Sequence, residues 1–205
     1  MKKIILHLCA DIGSDSRYYQ LDPDYEVICV GEDVGVENFF PPKKVHGIIA
    51  NPVCTEFSTA NGFHKENDLN KGMFLVNHCI RIIKESNPNW HVIENPFNGH
   101  LKSFLGTPDA FYQPWQFGSP WTKKTALWGK FNMPKPLYAN WEDVPKIEGL
   151  YVRPNRKKPS LAFMHKSHAQ IIPEMQFAID KLKNDADFRS WCSQGFAKEF
   201  YLSNP

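Results

Sequence analysis

Paired cysteines are missing from this 205-residue chain. Its five cysteines, Cys9, Cys29, Cys54, Cys79 and Cys192, are odd in number and none forms a CxxC pair. That disfavours a disulfide framework and a zinc site, and no metal is expected. It suits a reducing compartment, so a cytoplasmic location is expected. No apolar run approaches the roughly 20 residues that cross a bilayer, so no membrane partner is expected. Residues 1–6 read as a buried strand rather than a leader, because His7 and Asp11 interrupt the apolar run. No GxGxxG follows that strand, which disfavours a dinucleotide. Internal repeats and a linker between stable domains are also missing. Net charge is only +2, a weak overall case for nucleic acid.

What is present is an ordinary globular composition, 42% hydrophobic and 22% charged, on a length that suits one domain. Charge is uneven. Between Lys123 and Lys166 lie Lys124, Lys130, Lys135, Lys146, Arg153, Arg156, Lys157 and Lys158, opposed only by Glu142, Asp143 and Glu148. Such a patch docks a phosphate backbone or is a solvated surface loop, and charge alone does not separate the two.

Strands are predicted at 3–10, 25–30, 45–50, 91–93 and 125–128, with a short helix at 17–20. Leu69, Met73, Val76, Ile80 and Ile83 are spaced as one helical face. Further helices are predicted at 173–182 and 188–200. Strands alternating with helices give an α/β fold with a mostly parallel sheet. The expected core covers about 1–110 and 165–205, with a loop-rich region at about 111–165. In such sheets functional turns gather beyond the carboxyl ends of the strands. That places 11–15, 32–33, 51–58 and 94–96 on one rim.

Two of these turns carry reactive groups. Cys54 follows a strand end behind Pro52, where a thiol is either an exposed nucleophile or a buried core residue. Cys9, Cys29 and Cys79 lie in apolar segments and read as inert core thiols. Glu94 ends a buried strand, which is costly without a partner or a task. Its partner is backbone N–H, Arg81 or a substrate. Asp11, Gly13 and Ser14 form a small turn that lets a ligand approach the backbone. Glu32 or Asp33 is placed to accept hydrogen bonds from ribose hydroxyls.

The 52–58 segment, Pro-Val-Cys-Thr-Glu-Phe-Ser, resembles the Pro-Pro-Cys-x-x-Phe-Ser motif of cytosine-5 DNA methyltransferases. Ile93-Glu94-Asn95-Pro96 resembles their Glu-Asn-Val motif in the form used by a compact phage and prophage branch. The 112–118 segment with 123–128 resembles a Trp-rich block of that branch. The resemblance implies a Rossmann-like S-adenosylmethionine-dependent fold in a single domain with a reduced target-recognition region. It implies Cys54 as nucleophile and Glu94 as the group that holds a flipped cytosine of DNA. S-adenosylmethionine would lie against Asp11, Gly13, Ser14, Glu32 or Asp33, Asn51 and Pro52. Ser58, Asn95, Lys123, Lys124 and Thr125 would meet the substrate, and Lys157 and Lys158 would contact phosphates. Trp115, Trp121, Trp128 and Phe57 are candidate stacking surfaces, core packing being the alternative. The cytoplasm would be that of a bacterial host.

Three departures from the family pattern matter. Val53 replaces a proline, the first turn lacks the usual Phe and paired glycines, and no large recognition domain is present. Two other readings follow: a degenerate fold that binds DNA or a host protein, and transfer to RNA, a free nucleotide or an amino group.

Overall fold

The structure is a computed structural model that describes residues 1–10, 12–58 and 67–205. Six strands form one sheet: β1 (Lys3–Leu8), β2 (Tyr25–Val30), β3 (Gly47–Ala50), β4 (Trp90–Pro96), β5 (Ala110–Tyr112) and β6 (Thr125–Lys130). Their order is β2-β1-β3-β4-β6-β5. The first four are parallel, whereas β6 runs antiparallel to β4 and β5 antiparallel to β6. Five α-helices are described: α1 (Arg17–Leu21), α2 (Leu69–Ser86), α3 (Lys102–Leu105), α4 (Asp185–Ser190) and α5 (Gln194–Ser203).

Side-chain alternation explains the layers. Leu6, Leu8, Ile48, Ala50 and Ile93 face α2, whose Val76, Cys79 and Ile82 are fully buried. Ile5, Ile49 and Val92 face the other way, onto Phe196 and Phe200 of α5. The period of two along each strand thus buries both faces of the central strands. In α2 the innermost stripe is Gly72, Val76, Cys79, Ile82 and Ser86. The larger Leu69, Met73, Ile80 and Ile83 flank it, partly buried. Small residues let the helix approach the sheet, and bulky ones close the margins. Asp68 caps the helix by accepting from the Lys71 N–H at 3.0 Å. Asn87, at φ 43°, ends it before Pro88.

The second half departs from expectation in two places. The segment Pro173–Lys181 is a run of 3-10 turns kinked at Ala178, not an α-helix. Its buried residues Met175 and Ala178, with the buried cap residue Ile172 before it, recur every third position, which suits three residues per turn. The helix expected at 188–200 is two helices, α4 and α5, with the chain extended at Trp191. Trp191 is fully buried there, and Ser193 restarts the helix by accepting from the Phe196 N–H. Trp121, Leu161 and Met164 of the loop-rich 111–165 region are fully buried in a third core shared with Ile172, Met175, Phe188 and Trp191 of the C-terminal stretch. No helix among the described residues is long and apolar enough to cross a membrane.

Candidate functional site

Register explains why the polar clusters meet. Val30, Leu8, Ala50 and Ile93 lie side by side across β2, β1, β3 and β4. Residues 31–33, 12–15 and 51–54 therefore leave the sheet at one end, where Glu94 and Asn95 carry β4 on past β3, paired with β6. β6 runs the opposite way and pairs Thr125 with Pro96, so Lys123 and Lys124 enter it at that same end.

Cys54 is exposed. It precedes a 3-10 turn, Thr55–Phe57, and its carbonyl accepts from the Phe57 N–H at 3.0 Å. Three contacts anchor this turn. Phe57 is fully buried and its ring fills the space left by Gly72, where a Cβ would come within 2.8 Å of it. The Phe57 carbonyl accepts from the His100 N–H at 2.8 Å. The Glu56 carboxylate accepts from the Asp68 N–H at 3.0 Å. Cys54 thus stands at the surface on a turn fixed from below, and of the two readings left open by the sequence it is not the buried one.

Glu94 faces Lys123 across the strand pair, with Lys123 Nζ 3.9 Å from Glu94 Oε1. The two side chains are 18% and 15% exposed, which places them well inside the rim. Arg81 is elsewhere, bound to Glu85 and to the carbonyls of Val36 and Phe39. Lys123 also donates to the carbonyls of Ser190 and Trp191, at 3.0 and 3.2 Å. Burial pushes its ammonium toward neutrality, but the carboxylates of Glu94 and Asp15 outweigh that, with lesser help from Cys192 and Cys54. The net result holds Lys123 above the usual lysine range, a protonated cation at neutral pH.

Asn51 joins the two acids. Its Nδ2 donates to Asp15 Oδ1 at 3.2 Å and to Glu94 Oε2 at 3.4 Å. Its Oδ1 meets His7 Nε2 at 2.9 Å. An amide flipped the other way would aim oxygen at two carboxylates, so His7 carries its proton on Nε2 and donates to Asn51. His7 Nδ1 then accepts from Ser16 Oγ at 2.9 Å. Next to it, Asn95 Nδ2 donates to the Pro52 carbonyl at 2.9 Å and ties β4 to the cysteine loop. A cavity of about 20 Å³, room for roughly one water, lies behind Glu94 between Asp15, Cys192 and Phe196.

Other expected residues are placed differently. The Ser14 side chain is fully buried; its hydroxyl accepts from the Cys192 N–H and contacts Asp15, which turns it away from the rim. Thr125 is also fully buried, its hydroxyl donating to the Lys123 carbonyl. Lys124 points away from Glu94, its ammonium 3.4 Å from the centre of the Phe97 ring and 4.0 Å from that of Phe111. Ser58 is half-buried, its carbonyl accepting from Asn67. Glu32 and Asp33 are exposed beyond the end of β2, and Gly13 makes its turn at φ 77°. Asp11 lies outside the described residues. Phe57, Trp121 and Trp128 are core residues rather than stacking surfaces, which leaves Trp115 half-buried under the Lys158 ammonium. Among the thiols, Cys79 is buried but Cys29 is exposed on edge strand β2, so it is no core residue.

Sequence reasoning missed His7 and Ser16, and placed Asp15 on the rim without giving it a role. A lone polar residue inside the run Ile-Ile-Leu-His-Leu was the available signal for His7. A histidine there is as often a satisfied core group, and only the fold shows that it holds Asn51.

No family model matches the chain, and no curated protein matches it. Among solved structures it is similar to a protein encoded within an Escherichia coli prophage, whose description proposes a DNA modification methyltransferase. The TM-score is 0.46 at 16% identity, with 90% of this chain and 70% of that chain covered.

Proposed function

We propose that the chain transfers a methyl group from S-adenosylmethionine to C5 of cytosine in DNA through a covalent adduct on Cys54. One observation carries this reading: an exposed thiol on an anchored turn shares a sheet edge with an inward carboxylate that a lysine holds in place.

Each residue then has a task. The Cys54 thiolate attacks C6 of the ring, and the C5–C6 electron pair moves onto C5. Glu94, having taken up a proton from solvent as the base binds, donates it to N3 and so offsets the negative charge that the attack creates. Lys123 pins Glu94 and keeps a positive charge beside the ring. Asn51, fixed by His7, orients the same carboxylate from its other oxygen. S-adenosylmethionine, when bound, supplies an electrophilic methyl group. After transfer solvent water takes the C5 proton, the freed electron pair re-forms the C5–C6 double bond, and the S–C6 bond breaks to restore the Cys54 thiolate. Gly13 is buried at its turn with the Gln20 side chain against it, and the exposed carboxylates of Glu32 and Asp33 fit ribose hydroxyls. These residues, with Asn51 and Pro52, would hold the donor, and Ser14 shapes the turn from beneath.

A second reading, a fold that binds DNA without turnover, is favoured by the inward-facing Ser14 hydroxyl. Labelled donor and DNA separate the two. Digestion of the product should yield 5-methyldeoxycytidine, reduced at least about a thousandfold in Cys54→Ala. Label that persists in that variant, or that sits on an exocyclic amine, would contradict the proposal.

A further inference from the structure

A second concave surface lies outside the thiol–carboxylate site. It is a cleft of about 380 Å³ walled by Arg153, Arg156, Lys157 and Lys158, with Thr122, Ser160 and Phe163 completing it. Among the described residues no carboxylate lines it. We propose that this cleft is a phosphodiester-binding groove that seats the DNA strand carrying the target base. The inference rests on the DNA reading above and names how that substrate is held.

The cleft is built rather than accidental. Thr122 and Ser160 form a parallel bridge, with the Thr122 N–H donating to the Pro159 carbonyl at 2.9 Å and the Leu161 N–H to the Thr122 carbonyl at 3.1 Å. A turn closed by the Arg156 N–H on the Arg153 carbonyl at 3.0 Å brings both guanidinium groups to one wall. Asn155 makes that turn at φ 63°. Aromatic rings then aim the cations. The Arg153 guanidinium lies 4.2 Å from the centre of the Phe163 ring, and the Lys158 ammonium 4.8 Å from that of Trp115. Phe163 remains 48% exposed, so its ring is open to a further stacking partner.

Position selects a polymer over a mononucleotide. Thr122 lines the cleft, and the next residue, Lys123, reaches Glu94. The two sites therefore adjoin along the chain but face different atoms. A ligand that fills both must carry a base at Glu94 and several phosphates beyond it, as a nucleic-acid strand does. Four cations around one cleft also repel one another unless several anions neutralise them.

Fluorescence anisotropy with a labelled DNA duplex tests this through binding alone. Arg156 and Lys157 are exposed, so Arg156→Ala/Lys157→Ala should fold normally, which its melting temperature checks. The slope of log affinity against log salt should fall by about 1.8, and affinity at about 0.1 M salt by roughly tenfold or more. Arg156→Lys/Lys157→Arg should keep both values. Deoxycytidine monophosphate at matched phosphate concentration should fail to displace the duplex. An unchanged slope and affinity in a well-folded alanine variant would overturn the groove, and equal displacement by the mononucleotide would overturn the polymer claim. If the predicted salt behaviour appears but no methyl is transferred, the groove stands and the catalytic reading falls.

Discussion

At the scale of the residue, Lys123 sits where a burial penalty and two carboxylates pull in opposite directions, and the carboxylates win. Removing that cation leaves Glu94 inside the rim without its ion pair and frees two backbone carbonyls. Losing one partner of a buried pair costs about 3–5 kcal/mol, but residual solvent access lowers this to about 2–3 kcal/mol for Lys123→Ala. Glu94→Gln added to Lys123→Ala should return about 1 kcal/mol, since the second change removes the stranded charge. Urea titrations of the four proteins would measure it; strict additivity would show that the pair is not coupled. Cys54 and Glu94 were legible in the sequence because each follows a strand and stands beside a proline. Lys123 was legible as part of a basic block and, through the resemblance, as a substrate contact, but its ion pair with Glu94 was not, because that depends on β6 running antiparallel to β4. His7 was not legible as a site residue, and Asp15 only as a member of the 11–15 turn: Asn51 joins them from 44 and 36 residues away.

At the scale of the element, the long helix α2 and the first strands were readable because one apolar period dominates each. The 3-10 run and the broken C-terminal helix were not, because Trp191 and Met175 are placed by contacts with Glu174 and the local core rather than by local preference. Gly195 shows how tightly the last helix is seated. A Cβ there would come within 1.8 Å of the Phe117 carbonyl oxygen, a backbone atom in the turn Pro114–Phe117. Backbone cannot step aside as a flexible side chain can. Gly195→Ala should therefore destabilise the protein by about 3 kcal/mol. Hydrogen exchange should speed up along α5 and the 114–117 turn first, and an unperturbed α5 would contradict this packing account.

At the scale of the whole molecule, the last helix closes the fold against its first elements. Tyr19 Oη donates to the Asn204 carbonyl at 2.8 Å, and the Tyr201 hydroxyl donates to Asp22. The Tyr201 hydrogen bond, followed by the Asp24 N–H, holds the Asp22 carboxyl below its ordinary value, while the same bond pushes Tyr201 up to about 12. A depressed carboxyl stabilises the fold above its unfolded value of about 3.9, and that contribution is lost as pH falls through the folded value. Tyr201→Phe keeps the ring and deletes the bond. Its melting temperature should fall below that of the parent protein at neutral pH, with the gap closing below about pH 4. A gap that stays constant with pH would assign the effect to packing.

The central claim is that Cys54 bonds to a cytosine held at Glu94, and trapping that bond tests it most directly. DNA with 5-fluorocytosine cannot lose a proton from C5, so the enzyme should remain attached after methyl transfer. Mass spectrometry should find the oligonucleotide and one methyl group on the peptide containing Cys54. A protein that binds donor and DNA yet forms no adduct, or forms one on another residue, would contradict the account.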